Sequence, residues 1–524
     1  MNLKAFSSNN RFVFFLLAFI EGGAVMSIEL LAGRMIAPAY GTSLFVWTTV
    51  LGVAVGGLAL GYFTGGRMAD KYKQPGLLYI ILLIAAMLII IMPRLAATLT
   101  LVMEPAPLMF SVFCSALLFL FPPVLLLGAT TPIIIRSVSD GASLAGKSSG
   151  IIYGISTVGG IFSTFLVGFF LLPEYGLTIT AIYTGLVLAV LPFFILIINR
   201  VYYLPIVFFV FNILIFFPAS KKPESPGIKV LYESEGLLGQ LLVVDMPKKF
   251  NPESGSDRVL FVNRMGQTWI DKSTGNSAWS YVNYVTSAAS ILPKNQEVLL
   301  LGLGGGTVAK QLEQELDANI DAVELDERIV EIARELFGLG SRTNVIIDDA
   351  RHFIRSTDKK YDLFVFDVFK GEVPPSHVLS LECFKEVKQK LNNNGLMIIN
   401  FNGFIEGEAG RAGRSILKTI LAAGFNVKVL PTFESEEYRN ILYLASVNEF
   451  DFSNVGIKLN IQDGAVNIPD LFVDLSTIDM EDAVILTDDK PVLEILNLKA
   501  AESWRKSYGI YTKKFREQGI PIFK

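Results

Sequence analysis

Apolar positions follow two different rhythms along this chain. Up to about Phe217 they form continuous runs at about 12–32, 44–66, 77–97, 108–127, 151–172, 177–198 and 201–217. Roughly 20 apolar residues in helical conformation cross the hydrocarbon core of a bilayer. The pattern therefore predicts about seven transmembrane helices, the last one short. From Lys221 onward the runs shorten and alternate with amphipathic stretches. Gly239–Asp245 and Arg258–Val262 read as strands, with Gly266-Gln267 turning into a further short strand. Helical periodicity covers Tyr281–Leu292 and stops at Pro293. Beyond it, strands are predicted at Val298–Leu301, Val345–Ile347, Leu363–Phe366, Leu396–Phe401, Val427–Leu430 and Ile441–Ala445, with helices at about 380–391 and 411–423. Such alternation predicts a parallel, doubly wound sheet.

The expected architecture is multi-domain. An N-terminal α-helical transmembrane bundle (1–220) precedes a linker and small β-rich, substrate-side region (221–292). A C-terminal α/β Rossmann-like domain (293–450) and an extension (451–524) follow. Lys221–Gly227, with two prolines and two lysines, reads as the linker.

Glycines in the membrane half recur at small-xxx-small spacing, as Gly52/Gly56, Gly57/Gly61/Gly65 and Gly150/Gly154. That spacing lets helix backbones approach closely in lipid. Glu21, Glu29 and Arg34 fall in or beside the first run. Charge in a bilayer is costly, so each is expected to have a partner or line a cavity, either as a functional group or as a structural Glu29–Arg34 pair. Lys4, Arg11, Arg67, Lys71, Lys73, Arg136, Lys147 and Arg200 fall on one side of the bundle, against Arg34, Arg94, Lys221 and Lys222 on the other. The richer side is expected to be cytoplasmic. Seven crossings would then put the C-terminal half outside, away from cytosolic cofactors. One crossing fewer, an exception to the charge rule, and an external domain all stay open, with a cytoplasmic domain favoured by cofactor supply.

The 524 residues are 52% hydrophobic and 18% charged, with a net charge of −4. That balance, without a basic stripe, argues against a nucleic-acid partner. Cys114 and Cys383 lie in different halves, and His352 and His377 are the only histidines. Neither a disulfide framework nor a metal site is expected. The first apolar run is too long for a signal peptide and lacks a small-residue cleavage site.

The candidate chemistry centres on Glu297–Asp326. A buried-strand pattern runs into Gly302, Gly304, Gly305 and Gly306; a helix and a second strand follow, ending at Glu324. Glycines admit a ligand to the backbone, and an acid about 20 residues on can take two ribose hydroxyls. Asp349 and Asp367 also fall at predicted strand ends, where sheets of this class bind ligands, though either could equally be a helix N-cap.

At these residues the chain resembles the spermidine synthase (polyamine aminopropyltransferase) family, which has the class I S-adenosylmethionine-dependent methyltransferase fold. The likeness covers about residues 230–450. It rests on Gly302–Gly306, Val323–Asp326, Asp348–Ala350 and Phe366-Asp367, with Gly266-Gln267 and Ser280-Tyr281 upstream. The membrane half is similar to the seven-span regions fused to such domains in some bacterial proteins, through Glu29–Arg34, Gly61–Asp70, Gly128–Thr130 and Pro132; Leu486–Asp489 and Pro491 match those fusions too. The resemblance implies an integral protein of a bacterial inner membrane, with the lipid bilayer as a partner and a homodimer admitted. It implies a donor, decarboxylated or intact S-adenosylmethionine, and a small-molecule amine or other acceptor. Glu324 would hold the ribose, Asp349 and Ala350 would flank adenine, and Asp367 would be catalytic. Gln267, Tyr281, Lys370 and Asp489 would fall on the substrate side.

Three positions depart from the family pattern. Gly305 stands where an Asp usually binds the aminopropyl ammonium, Lys370 where a second Asp binds the polyamine, and Val282 where a Gln follows the Tyr. Three functions follow. The first is aminopropyl transfer. The second is methyl or aminocarboxypropyl transfer from the intact donor. The third is a transporter or sensor whose soluble domain only binds a nucleoside.

Overall fold

The computed structural model describes residues 11–41, 44–72, 76–103, 106–139, 145–216, 227–236, 238–248, 255–263, 265–368, 375–436, 438–458, 465–504, 515 and 520. Lys370 and the linker residues 221–226 lie outside them. The chain divides into two compact units near residue 224.

The first unit is helical. Its helices are α1 (Arg11–Tyr40), α2 (Leu44–Lys71), α3 (Gly76–Val102), α4 (Leu108–Phe119), α5 (Phe121–Val138), α6 (Ala145–Leu166), α7 (Leu172–Ile198) and α8 (Tyr203–Phe216). Among the described residues, five helical stretches are long and apolar enough to cross a membrane: 11–40, 44–71, 76–102, 121–138 and 146–198. The seven predicted runs map onto these unevenly. The run at 108–127 breaks at Leu120 into α4 and α5. The runs at 151–172 and 177–198 join through a π-helical turn and a kink at Gly176 (φ 72°). The run at 201–217 becomes the short α8.

Glycine spacing has two outcomes here. A Cβ on Gly61 would lie 2.4 Å from the Leu125 carbonyl oxygen, and one on Gly65 would lie 2.3 Å from that of Ala129, so α2 and α5 touch through bare backbone. Gly52, Gly56, Gly150 and Gly154 face open space instead. Sequence spacing misses the close α1–α6 approach at Gly22 and Gly159. Glu21 is buried and accepts from Thr131 Oγ1 (3.4 Å) and Ser156 Oγ (3.2 Å). The described residues show no Glu29–Arg34 ion pair. Five positions apart, the two side chains leave the helix on different faces, whereas partners need a spacing of three or four.

The second unit carries two main sheets. The smaller has the order β1 (Lys229–Gly236), β2 (Gly239–Pro247), β3 (Ser256–Val262), β4 (Met265–Asp271). Gly266-Gln267 is not the turn the sequence suggests. Phe261 pairs with Gly266 and Val262 with Met265, so both residues lie inside β4. The reversal starts at Asn263, which takes the left-handed conformation (φ 56°) usually left to glycine.

The larger sheet contains β5 (Glu297–Leu301), β6 (Asn319–Glu324), β7 (Asn344–Ile347), β8 (Tyr361–Phe366), β9 (Leu391–Asn402), β10 (Asn426–Pro431) and β11 (Asn440–Ser446), in the order β10-β11-β9-β8-β5-β6-β7. Strands β7, β6, β5, β8 and β9 are parallel. Strands β11 and β10 are antiparallel, which corrects the all-parallel expectation. The reason is local: only residues 432–439 separate β10 from β11, too few for the crossover a parallel pair needs.

Helices cover both faces: α9 (Tyr281–Ala289), α10 (Thr307–Leu316), α11 (Glu327–Leu336), α12 (Ala350–Ser356), α13 (Leu381–Lys390) and α14 (Arg411–Ala422). Alternate strand residues feed two cores. Leu299, Leu301, Phe364, Phe366, Met397 and Ile399 pack on one side. Val298, Leu300, Leu363, Val365, Leu396 and Ile398 pack on the other. From β5 the chain winds outward through β6 and β7, then returns to β8 on the opposite flank. That reversal opens a crevice at the carboxyl ends of β5 and β8.

Candidate active site

Strand register builds this crevice. Leu301 pairs with Val323 on one side and Phe366 on the other. The residues one step further, Gly302, Glu324 and Asp367, therefore share one edge. Phe366 pairs with Ile399, which brings Asn400 beside Asp367.

The glycine loop is held by contacts that tolerate no side chain. Gly302 has φ 87°, and a Cβ there would lie 2.3 Å from the Asp367 carbonyl oxygen. The Gly305 N–H donates to Thr268 Oγ1 at 2.7 Å, and a Cβ on Gly305 would meet Thr268 Cγ2 at 2.7 Å and Phe337 Cδ1 at 2.9 Å. The space an acid would need at this position is taken by β4 and the residue that ends α11. Gly304 and Gly306 also have positive φ, and Gly306 leads into α10 without a side-chain cap.

Glu324 turns toward this loop. Its Oε2 accepts from the Leu303 N–H (3.1 Å), and its Oε1 from those of Leu325 (2.8 Å) and Asp326 (3.0 Å). Burial raises its pKa, and the three N–H donors only partly offset this.

Asp367 accepts from Tyr281 Oη at 3.0 Å and from Asn400 Nδ2 at 2.7 Å. Asn400 in turn accepts from Asn440 Nδ2 at 2.8 Å. Burial raises the Asp367 pKa against the pull of these neutral donors. It drives the Tyr281 hydroxyl well above its ordinary value as well, with the adjacent carboxylate adding to the effect. Tyr281 starts α9 and reaches across to the sheet edge, so a helix outside the predicted nucleoside-binding unit completes the site. With Glu324, the edge presents two acids held by neutral donors, an arrangement suited to a cationic ligand.

Asp349 caps α12, accepting from the N–H groups of Arg351 (2.9 Å) and His352 (3.1 Å). Its second oxygen lies 3.2 Å from His377 Nε2. Burial would raise its pKa, but these donors outweigh it and hold the carboxyl below its ordinary value. Ala350 is buried at the start of the same helix. Gln267 is half-buried in β4, and no hydrogen bond among the described residues joins it to Asp367. Asp489 is exposed, while its neighbour Asp488 is engaged, with Ser380 Oγ at 2.5 Å and Arg351 Nη2 at 3.1 Å.

Sequence reasoning missed Thr268 and Asn400, and within Leu486–Asp489 it singled out Asp489 where Asp488 is the engaged acid. Asn400 had a signal, as the one polar residue inside the apolar run Leu396–Phe401. Thr268 had none, because only tertiary packing brings β4 to the glycine loop.

Comparison with known proteins bears on this edge. Residues 281–436, from Tyr281 through the turn after β10, match the Spermine/spermidine synthase domain. This segment is similar to the spermine/spermidine synthases. The polyamine aminopropyltransferase of Vibrio vulnificus is 33% identical over 126 residues, 23% of this chain and 42% of its own length. Polyamine aminopropyltransferase 2 of Aquifex aeolicus is 31% identical over 160 residues, 28% of this chain and 32% of its own. The chain thus spans less than half the length of these relatives. Among solved structures, the spermidine synthase of Thermotoga maritima is 15% identical with a TM-score of 0.37, covering 47% of this chain and 85% of that one. Within the matched segment lie Tyr281, Gly302–Gly306, Glu324, Asp349, Asp367 and Asn400; Thr268, Gln267 and Asp489 lie outside it.

Proposed function

We propose that this protein is a membrane-bound aminopropyltransferase that moves the aminopropyl group of decarboxylated S-adenosylmethionine to an amine. The observation that carries the reading is Asp367, fixed between Tyr281 and Asn400 beside the glycine loop. Glu324 would take the ribose hydroxyls, with Asp349 and Ala350 beside the adenine and Gly302–Gly306 under the nucleoside. The acceptor arrives as an ammonium ion, because alkyl amines titrate near pH 10. Asp367 would bind that cation and take one proton from it. The freed lone pair forms a bond to the methylene carbon next to the sulfonium, the carbon–sulfur bond breaks, and its electrons leave on a neutral thioether. A carboxyl whose pKa is raised by burial is a better proton acceptor than an ordinary one. Tyr281 and Asn400 orient the carboxylate. Gln267, Lys370 and Asp489 would contribute on the acceptor side.

The N-terminal unit would hold the enzyme in the lipid bilayer of a bacterial inner membrane, with the synthase domain on the cofactor-bearing cytoplasmic side. Protease protection in sealed vesicles tests that orientation.

A second reading is supported by Gly305, where packing against Thr268 and Phe337 leaves no room for an acid to bind an aminopropyl ammonium. It makes the intact donor, with its carboxylate, the substrate, and the transferred group a methyl or aminocarboxypropyl. Calorimetry of the detergent-solubilised chain with both donors, followed by product analysis with an amine panel, decides between them. Tighter binding of the decarboxylated donor and an aminopropylated product support the first reading. Preference for the intact donor refutes it.

A further inference from the structure

Transfer chemistry at the sheet edge asks only anchoring of the helical unit, yet that unit buries an acid. Glu21 follows the unbroken apolar run Phe12–Ile20 and lies about 15 Å inside α1, at 1.5 Å per residue. It is 2% exposed. Gly22 and Gly159 carry no Cβ, so α1 and α6 meet backbone to backbone. That contact brings Ser156 Oγ to Glu21 Oε2 at 3.2 Å. From α5, Thr131 Oγ1 reaches Oε1 at 3.4 Å. Among the described residues, no charged side chain of α2, α3, α5, α6 or α7 acts on Glu21, whose polar contacts are these two hydroxyls. On α1 itself, Glu29 stands about 12 Å and Arg34 about 20 Å further along. Tyr62 of α2, packed edge-on against Tyr153 of α6 at 6.3 Å, is within electrostatic reach of both Glu21 and Glu29.

The two hydroxyls do not compensate a charge. A hydroxyl donating to a carboxylate normally sits at about 2.5–2.7 Å. A carboxylate in a bilayer interior without a cation is costly. The same hydroxyls do suit a group that changes state. A neutral carboxyl offers one donor and one acceptor side, and a Ser or Thr hydroxyl serves either by rotating its hydrogen. The pair therefore satisfies the protonated form and tolerates the ionised one. An Arg or Lys partner would hold the charged form only.

We propose that Glu21 is an exchangeable proton site inside the bundle, at the junction of α1, α5 and α6. Its ligand is a single proton, loaded and released as the surroundings change. Intramembrane acids of this kind serve as proton relays in pumps and transporters. The helical unit thus has a task of its own beside anchoring, and the inference is independent of the aminopropyl-transfer reading. The structural alternative is a permanently protonated Glu21 that only joins three helices through hydrogen bonds. A glutamine would serve equally there, and nothing would titrate.

Infrared difference spectra of the full-length chain in lipid vesicles test this, with the medium taken from mildly acidic to mildly basic. The native chain should lose a protonated-carboxyl stretch and gain carboxylate bands. Glu21→Gln should lack one carboxyl's share of that change, with size-exclusion profiles verifying its fold. Identical pH differences in the native and Gln chains overturn the proposal. Where the variant does not fold, dicyclohexylcarbodiimide on the native chain decides instead, because this apolar reagent adds to the protonated carboxyl. Peptide mass analysis should find the adduct on Glu21, forming at least ten times faster in the acidic medium than in the basic one. An adduct rate that ignores pH, or no adduct on Glu21, then overturns the assignment.

Discussion

Asp367 ends an apolar strand with two neutral donors and no ion pair among the described residues, and that combination governs how it titrates. Burial lifts its pKa above the ordinary carboxyl value, so the folded chain binds this proton more tightly than the unfolded chain. The stabilisation that results is complete below the unfolded pKa and is lost as pH rises through the folded one. At neutral pH the buried charge is therefore a cost. Asp367→Asn should lose turnover by 100-fold or more, the scale of a missing proton acceptor (about 10²–10⁴-fold). The same variant should melt at a higher temperature than the native chain at pH 7–8, with the gain shrinking toward pH 4. Thermal melts across pH, paired with rates, check both halves; an Asn variant that turns over normally removes the residue from the mechanism.

At the scale of elements, two contacts decide whether the strands and helices meet as they do. The Thr268 hydroxyl is the partner of the buried Gly305 N–H. Thr268→Val keeps the shape and removes the acceptor, so stability should fall by about 1–3 kcal/mol and nucleoside affinity should fall with it. Chemical denaturation with calorimetry reads both, and Thr268→Ser should restore most of the loss. In the helical unit, Gly61 meets the backbone of α5 while Gly52 meets nothing within 4 Å. Gly61→Leu should cost several kcal/mol through overpacking against Leu125 and Gly128. Gly52→Leu should be tolerated. Size-exclusion profiles and melting in detergent distinguish these variants. Equal behaviour would mean that spacing alone, not contact, matters.

At the scale of the whole second unit, Arg351 ties distant segments together. It is nearly fully buried and pairs with Glu386 (2.5 Å) and Asp488 (3.1 Å) while donating to the His377 carbonyl and Ser380. One residue thereby joins α12, α13, the loop after β8 and the segment around Leu486. Arg351→Met should cost about 2 kcal/mol, below the 3–5 of a fully buried pair because Glu386 and Asp488 keep some solvent access. Hydrogen exchange should rise first at residues 484–490 and 376–380. Exchange that rises uniformly would show that Arg351 stabilises the fold without linking these segments.

Local pattern alone was enough for the elements whose physics is local. Long apolar runs make bundle helices, and short ones between turn signals make β5, β6, β8 and β9. The Gly302–Glu324 spacing was legible because the loop, helix and strand are consecutive in the chain. Tertiary structure decided what depends on register and on contacts between distant segments. The carboxylate–Tyr281–Asn400 arrangement at Asp367 joins residues 281, 367 and 400, which only strand pairing and the docking of α9 bring together. The antiparallel flank at β10 and β11, the turn at Asn263 in place of Gly266, and the two fates of equally spaced glycines were hidden for the same reason. A sequence records which residues a surface offers, while pairing and packing choose the neighbour each one meets.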